Sequence, residues 1–291
     1  MKIRLGTNPI AWSNDDLRSL GGDTPLETCL AEAKQAGFSG IELGWKFPRT
    51  AAALAHVLQQ HGLALVSGWH STHLLERDVE AELEAMAPHL DLLEAMHCDV
   101  VIVAECTGSV HGDQSAPLSR RPVLEDARWP EFGRRLTALA QATRARGLEL
   151  AYHHHMGTVV QTGAEIDMLM DETGSAVGLL LDTGHATFAG ADPVKLARRH
   201  HARVVHVHCK DVRAEVMSRA RTEDMSFLDA VVAGVFAVPG DGIVDFAAVF
   251  QGIADYEGWL VVEAEQDPAR ATPLEHATRG RDALARLVRG G

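Results

Sequence analysis

Short runs of Val, Ile and Leu recur along the chain at intervals of roughly thirty residues, and between them lie Ala- and Leu-rich stretches with helical spacing of apolar positions. The runs predict strands over 3–8, 40–44, 64–68, 99–105, 149–153, 177–182, 204–208 and 259–263. The intervening stretches predict helices over 25–36, 51–61, 79–97, 130–146, 164–172, 193–201, 245–256 and 273–288. Several of these open with Pro in the first turn, and "QAGFSG", "QHGLAL" and "ARGLEL" close three of them on Gly, the asymmetry expected of helix ends. Eight strands, each followed by a helix, are the arithmetic of a (β/α)8 TIM barrel, here an α/β chain read as a single domain over residues 1–291. A doubly wound open sheet is the alternative, but no GxGxxG follows the first strand. Two segments exceed the minimal unit: "CTGSVHGDQSAPLSRRPVLEDARW" after the fourth strand and "VRAEVMSRARTEDMSFLDAVVAGVFAVPGDGIV" after the seventh. Both leave from strand C-termini, where barrels build their active sites.

Composition narrows the class of partner. With 291 residues, 46% of them hydrophobic, the chain can bury a substantial core. The N-terminus, "MKIRLGTNPI", has no long apolar segment, so a soluble cytoplasmic protein without a membrane partner is expected. Cys29, Cys98, Cys106 and Cys209 lie far apart with no CxxC pair and are expected as free thiols. A formal net charge of -13 with no basic run disfavours nucleic acid and favours a small neutral or cation-assisted ligand. A homo-oligomer is compatible with a barrel, but the sequence does not specify one.

The late strands end on "AYHHH", "GLLLDTGH", "VVHVHCKD" and "WLVVEAEQD". Side chains alternate along a strand, so His153 and His155 share one face and His154 takes the other. In a barrel these ends converge, and His153, Asp182, His208 and Glu263 become candidate ligands of one ion. Singly, each has a structural explanation: Asp182 could cap the next segment, His208 could be a hydrogen-bonded core histidine, and Glu263 could pair with Lys210. Four unpaired polar groups at one barrel mouth are costly to desolvate, and a divalent cation satisfies them together. Two imidazoles and two carboxylates suit manganese, cobalt, iron or zinc better than calcium or magnesium.

The set "LDTGH", "HVHCKD" and "VVEAEQDP", with "GIELG" on the second strand, resembles the xylose-isomerase-like barrels. Over nearly the whole chain, "GTNPIAWSNDD", "AGFSGIELGWKFPR", "TGSVHG", "LSRRP" and "YHHHMGTVVQT" look like the inosose dehydratase (2-keto-myo-inositol dehydratase) family and its rhizopine-catabolism relatives. That resemblance implies loss of water from scyllo-inosose to a trihydroxycyclohexane-dione in inositol catabolism, with dependence on manganese or cobalt. It also implies glutathione as a cofactor, for which no site is legible in these residues. Most barrels of the superfamily place a glutamate where His153 stands, so His153 is matched by position. Trp45 replaces the small polar residue expected before "KFPR", and a ring there could reshape the sugar pocket.

Dehydration of a keto-cyclitol needs a base for the proton beside the ketone and an acid for the departing hydroxyl. His155 and His185 are the leading proton carriers, or else bind substrate hydroxyls. Lys210 could polarise a substrate oxygen, or pair with Asp211, Glu263 or Glu265. Glu42, Glu105 and Glu265 fit a pocket for paired hydroxyls, the first two alternatively orienting ligand histidines, with Trp45 and His70 completing the substrate-binding set. Trp12 and Trp69 could floor the ring or belong to the core. A sugar or keto-cyclitol isomerase or epimerase would use the same ion and the same enediolate. An endonuclease would need further histidine ligands and a positive groove. A non-catalytic sugar-binding barrel is disfavoured by the ligand set itself.

Overall fold

The computed structural model describes residues 3–289, and eight of its strands close into a parallel barrel. In chain order the strands are β1 Ile3–Thr7, β2 Gly40–Leu43, β3 Ala64–Thr72, β4 Val100–Glu105, β5 Glu149–His153, β6 Val177–Asp182, β7 Val204–Cys209, β8 Asp211–Val212, β9 Phe236–Ala237 and β10 Gly258–Val262. Around the barrel the order is β1-β10-β7-β6-β5-β4-β3-β2, while β8 and β9 form a separate antiparallel ribbon. The main helices are α1 Leu26–Gln35, α2 Ala51–His61, α3 Val79–Ala95, α4 Trp129–Ala145, α5 Gly163–Glu172, α6 Thr183–Phe188, α7 Pro193–His200, α8 Ala214–Thr222, α9 Phe227–Val232, α10 Phe246–Gly252 and α11 Pro273–Arg289. All eight expected strands and all eight expected helices are present, with ends shifted by a few residues. No helix among the described residues is long and apolar enough to cross a membrane, and the four cysteines are free and buried.

Alternation along the strands sorts the apolar residues into two places. Val100, Ile102, Ala151 and Leu180 form one small cluster inside the barrel and Val66, Trp259 and Val261 another, whereas Val101, Val103, Leu150, Leu179 and Leu181 join the large core shared with the helices. The same parity carries His153, Asp182, His208 and Glu263 inward one step beyond Ala151, Leu180, His206 and Val261.

Three features depart from expectation. β3 continues to Thr72, four residues past its expected end, and its pairing with β2 slips by one residue between Leu65 and Gly68. A bulge of this kind inverts the side-chain parity beyond it. Trp69 therefore turns in, and His70 turns out towards α3. At Gly68 a Cβ would lie 2.8 Å from His89 Cε1 on that helix, so the strand can pass only without a side chain. The long segment after β7 also folds more than expected, into β8, α8, α9 and β9. Asp211 organises it by accepting the backbone N–H groups of Val212, Gly240, Gly242 and Val244 at 2.9–3.0 Å.

Candidate metal centre and active site

His153, Asp182, His208 and Glu263, from four separate strand ends, each offer one ligand atom, and these atoms all lie within 4.8 Å of one another. All four residues are buried. Strand register contributes directly: Asp182 and His208 are Cα partners across β6 and β7.

Local hydrogen bonds orient each donor. His153 Nδ1 lies 2.9 Å from the His154 carbonyl, to which it donates, leaving the Nε2 lone pair 3.5 Å from Asp182 Oδ2. Asp182 has two roles: Oδ1 accepts the His185 N–H at 2.7 Å and caps α6, while Oδ2 has no hydrogen-bond partner. His208 donates from Nε2 to Glu42 Oε1 at 3.2 Å, which turns Nδ1 towards Asp182 Oδ2 at 3.5 Å and into contact with Glu263 Oε2. Neither His208 Nδ1 nor Glu263 Oε2 has a well-formed hydrogen bond. Three orphaned buried atoms therefore face one point together with the free nitrogen of His153. Buried polar groups are ordinarily satisfied, and two nitrogens and two carboxylate oxygens are a donor set that fits a divalent transition metal.

A second cluster, His155, His185 and Glu265, adjoins the first. His155 donates Nδ1–H to the Met156 carbonyl at 2.8 Å, which leaves Nε2 as an acceptor. His185 accepts the Met156 N–H at Nδ1 (3.2 Å), and its Nε2 lies 3.0 Å from Lys210 Nζ and 3.5 Å from Glu265 Oε1. Lys210, fully buried, bonds Glu265 at 2.6 Å and Glu263 at 3.2 Å. Asp211 is not its partner, being committed to the loop amides.

The field follows from this wiring. Burial alone would lower His208, but the carboxylates of Glu263 and Glu42, with that of Asp182 close by, override it and raise the ring well above the ordinary histidine value. Burial would raise Asp182 and Glu263; the charge of Lys210 on the first, and the charges of His208 and Lys210 on the second, lower both. Burial would also lower Lys210, and its three carboxylate neighbours hold it up as a cation. His155 and His185 are pushed well below their usual value by burial and then by neighbouring positive groups, so both rings are neutral at pH 7. Glu265 is pushed up to about 7 by burial and by the charges of Glu263 and Asp16, against the pull of Lys210.

Four residues of the expected substrate-binding set make other contacts in this structure. Glu42 lines the cavity, but His206 (2.8 Å) and His208 (3.2 Å) take one oxygen and Asn8 (2.7 Å) the other, which fits the orienting role the sequence left open for it. Glu105 has the outward parity of Val101 and Val103 and is spent on Leu74 N (2.7 Å), Thr72 Oγ1 (3.1 Å) and Thr107 N (3.1 Å). His70, reversed by the β3 bulge, bonds Glu82 at 2.9 Å. Trp45 donates its indole N–H to Ser13 at 2.9 Å and lines a different, shallow pocket with Lys46 and Phe47. Trp12 is core, fully buried and bonded to Glu32. Of the expected substrate-binding residues, only Glu265 lines the cavity with its carboxylate not committed to orienting a ligand histidine.

That cavity, about 90 Å³, also brings in Asn8, Asp16, His111 and Trp69, of which the sequence points only to Trp69. Asn8 and Asp16 lie in "GTNPIAWSNDD" and His111 in "TGSVHG", stretches that carry the family likeness but no signal of their own for a role. His206 shares the inward parity of His208, two residues on, which is the signal that marks it in the sequence.

A parallel barrel that delivers buried imidazoles and carboxylates from its late strands to one end is the architecture of a barrel enzyme with a metal-competent centre. The chain belongs to the xylose isomerase-like TIM barrel family, whose description matches residues 30–287, and within it to the inosose dehydratase family. It is 53% identical over 290 residues to the rhizopine catabolism protein MocC of Rhizobium meliloti, covering 99% of this chain and 89% of that one. It is 45% identical over 284 residues to the inosose dehydratase of Geobacillus thermodenitrificans, covering 96% and 95%. Among solved structures, the IOLI protein with a binding zinc atom superimposes with a TM-score of 0.65 at 15% identity, covering 99% of this chain and 98% of that one.

Proposed function

We propose that the chain is a metal-dependent hydro-lyase that removes water from scyllo-inosose, giving a trihydroxycyclohexane-dione. What carries the reading is that, in a chain 45% identical to an inosose dehydratase, four buried donor atoms meet within 4.8 Å and three of them lack a hydrogen-bond partner. His153 Nε2, Asp182 Oδ2, His208 Nδ1 and Glu263 Oε2 would hold the ion, with manganese or cobalt the metals proposed. When bound, it would supply Lewis-acid polarisation of the ketone and compensation for negative charge developing on that oxygen.

The remaining work falls to the protein. His155, neutral and with Nε2 unspent, has the form of a base for the proton beside the ketone. His185 has Nδ1 occupied by the Met156 amide, so proton exchange is confined to Nε2, which faces Lys210 and Glu265. Together these groups can pass a proton to the departing hydroxyl. Lys210 offsets the carboxylates of Glu263 and Glu265, keeping the centre from accumulating uncompensated negative charge. Trp69 lies edge-on to both His153 and His155, with ring centroids 5.4 and 5.6 Å away, and offers an apolar wall.

The test is incubation of the purified protein with scyllo-inosose, metal-stripped and then reloaded with manganese or cobalt. Ultraviolet absorbance of a conjugated dione should rise only after reloading. No turnover with either metal, or undiminished turnover in the stripped protein, would overturn the reading.

A further inference from the structure

The residues lining the cavity include the carboxylates of Asp15, Asp16, Glu42, Glu263 and Glu265 and no lysine or arginine. A phosphate or carboxylate on a ligand would meet five carboxylates and no lysine or arginine on this lining. Beside the cluster of His155, His185 and Glu265, loops from different parts of the chain bring Asp16 and His111 together. Asp16 Oδ1 lies 4.0 Å from His111 Nε2, with side chains 28% and 14% exposed. That separation is too long for a direct hydrogen bond, and His111 Nδ1 is buried with no partner.

Both side chains are nevertheless held in place. Asn14, fully buried, accepts the N–H groups of Asp16 and Leu17 at 2.8 and 2.7 Å and fixes the loop that presents the carboxylate. The loop bearing His111 is pinned by the Val110 N–H donating to the Gly157 carbonyl at 2.9 Å. Gly157 has φ +82, and a Cβ there would lie 2.9 Å from the His111 nitrogen, so close approach of the two loops depends on this glycine. The imidazole packs edge-on against His155 at 5.1 Å between ring centroids, beside the proposed base.

We propose that Asp16 and His111 form a hydroxyl clamp, binding one ring hydroxyl of an uncharged polyol beside His155. A hydroxyl oxygen about 2.8 Å from each group spans the 4.0 Å gap. It donates to the carboxylate, which can only accept, and accepts from the imidazole N–H. A ligand lacking that hydroxyl leaves both partners unsatisfied, and an anionic substituent at that position faces the charge of Asp16. The clamp rests on the dehydratase reading for the identity of the substrate, but not for its chemistry of recognition.

Asp16→Asn keeps the shape and replaces an acceptor with a donor; His111→Phe keeps the ring and removes both nitrogens. With scyllo-inosose, each variant should raise KM roughly 10- to 100-fold with a much smaller change in kcat. The monodeoxy analogues of the substrate supply a readout that a purely structural role would not move. The wild type should reject one of them far more strongly than the rest, and that selectivity should collapse in both variants at unchanged melting temperature. Wild-type KM in the variants, or an equal loss for every analogue, would overturn the clamp. Should the wild type fail to turn over scyllo-inosose, the dehydratase reading fails, and the clamp is tested by calorimetric binding of myo-inositol to the manganese-loaded protein. At least tenfold weaker binding in both variants supports it; equal affinity, or no binding by the wild type, overturns it.

Discussion

The early and late halves of the barrel both end their strands on titratable residues, yet they use them differently. On β2, β3 and β4 these are Glu42, His70 and Glu105. Glu42 is taken up by Asn8, His206 and His208, His70 by Glu82, and Glu105 by a hydroxyl and two backbone amides. On β6, β7 and just past β10, Asp182, His208 and Glu263 keep an atom without a partner, and that atom faces the same point in each case. A charged residue at the rim of a barrel therefore does not by itself mark a site. The accounting of its donors and acceptors does. Glu42 joins the halves: it belongs to the early strands by position and to the proposed metal ligands by its bond to His208.

Substitutions can break this contrast. The largest effect is expected for Asp182→Ala and His208→Ala, which should lose bound metal and, together with it, turnover by about 10³-fold or more, measured by metal analysis and kcat on the same preparations. Glu42→Gln should be intermediate, weakening metal affinity roughly 10- to 100-fold by releasing the His208 ring; unchanged affinity in a metal titration would cut the link between the halves. Glu105→Gln should leave metal content and kcat intact while lowering stability by about 1–3 kcal/mol, read by denaturant unfolding. Burial raises the Glu105 carboxyl above its ordinary value. A carboxyl raised in the folded state contributes stability that is complete below its unfolded value and fades as pH rises through the folded one. The advantage of the wild type over Glu105→Gln should accordingly narrow from acid towards neutral pH, and a widening gap would contradict the assignment. The smallest effect is expected for Trp45→Phe, a change of about twofold or less in kcat/KM, because its ring lies against Ser13 and outside the cavity.

The barrel was legible because Val, Ile and Leu runs at regular spacing leave little freedom in topology, and β5 and β6 match the pattern residue for residue. The four ligand candidates were legible for the same reason: each follows an inward residue by two positions, apolar in three cases and His206 in the fourth, so parity alone aims it. Glu105 could have been excluded by that rule. His70 could not, since the extra residue in β3 that inverts its direction is a matter of packing against His89 and leaves no mark in periodicity. The sequence also posed Asp182 as either a helix cap or a ligand, where the two oxygens of one carboxylate allow both. Asp16 and His111 stayed hidden because their meeting depends on how two loops cross over the mouth, a contact between residues far apart in the chain.

The shared centre is tested most directly by X-ray absorption spectroscopy on manganese-loaded protein, compared with His208→Ala. One tightly bound ion per chain, with two imidazole nitrogens and carboxylate oxygens around it in the wild type and one imidazole fewer in the variant, is the expected result. A coordination shell without imidazole, or one that His208→Ala leaves unaltered, would contradict it.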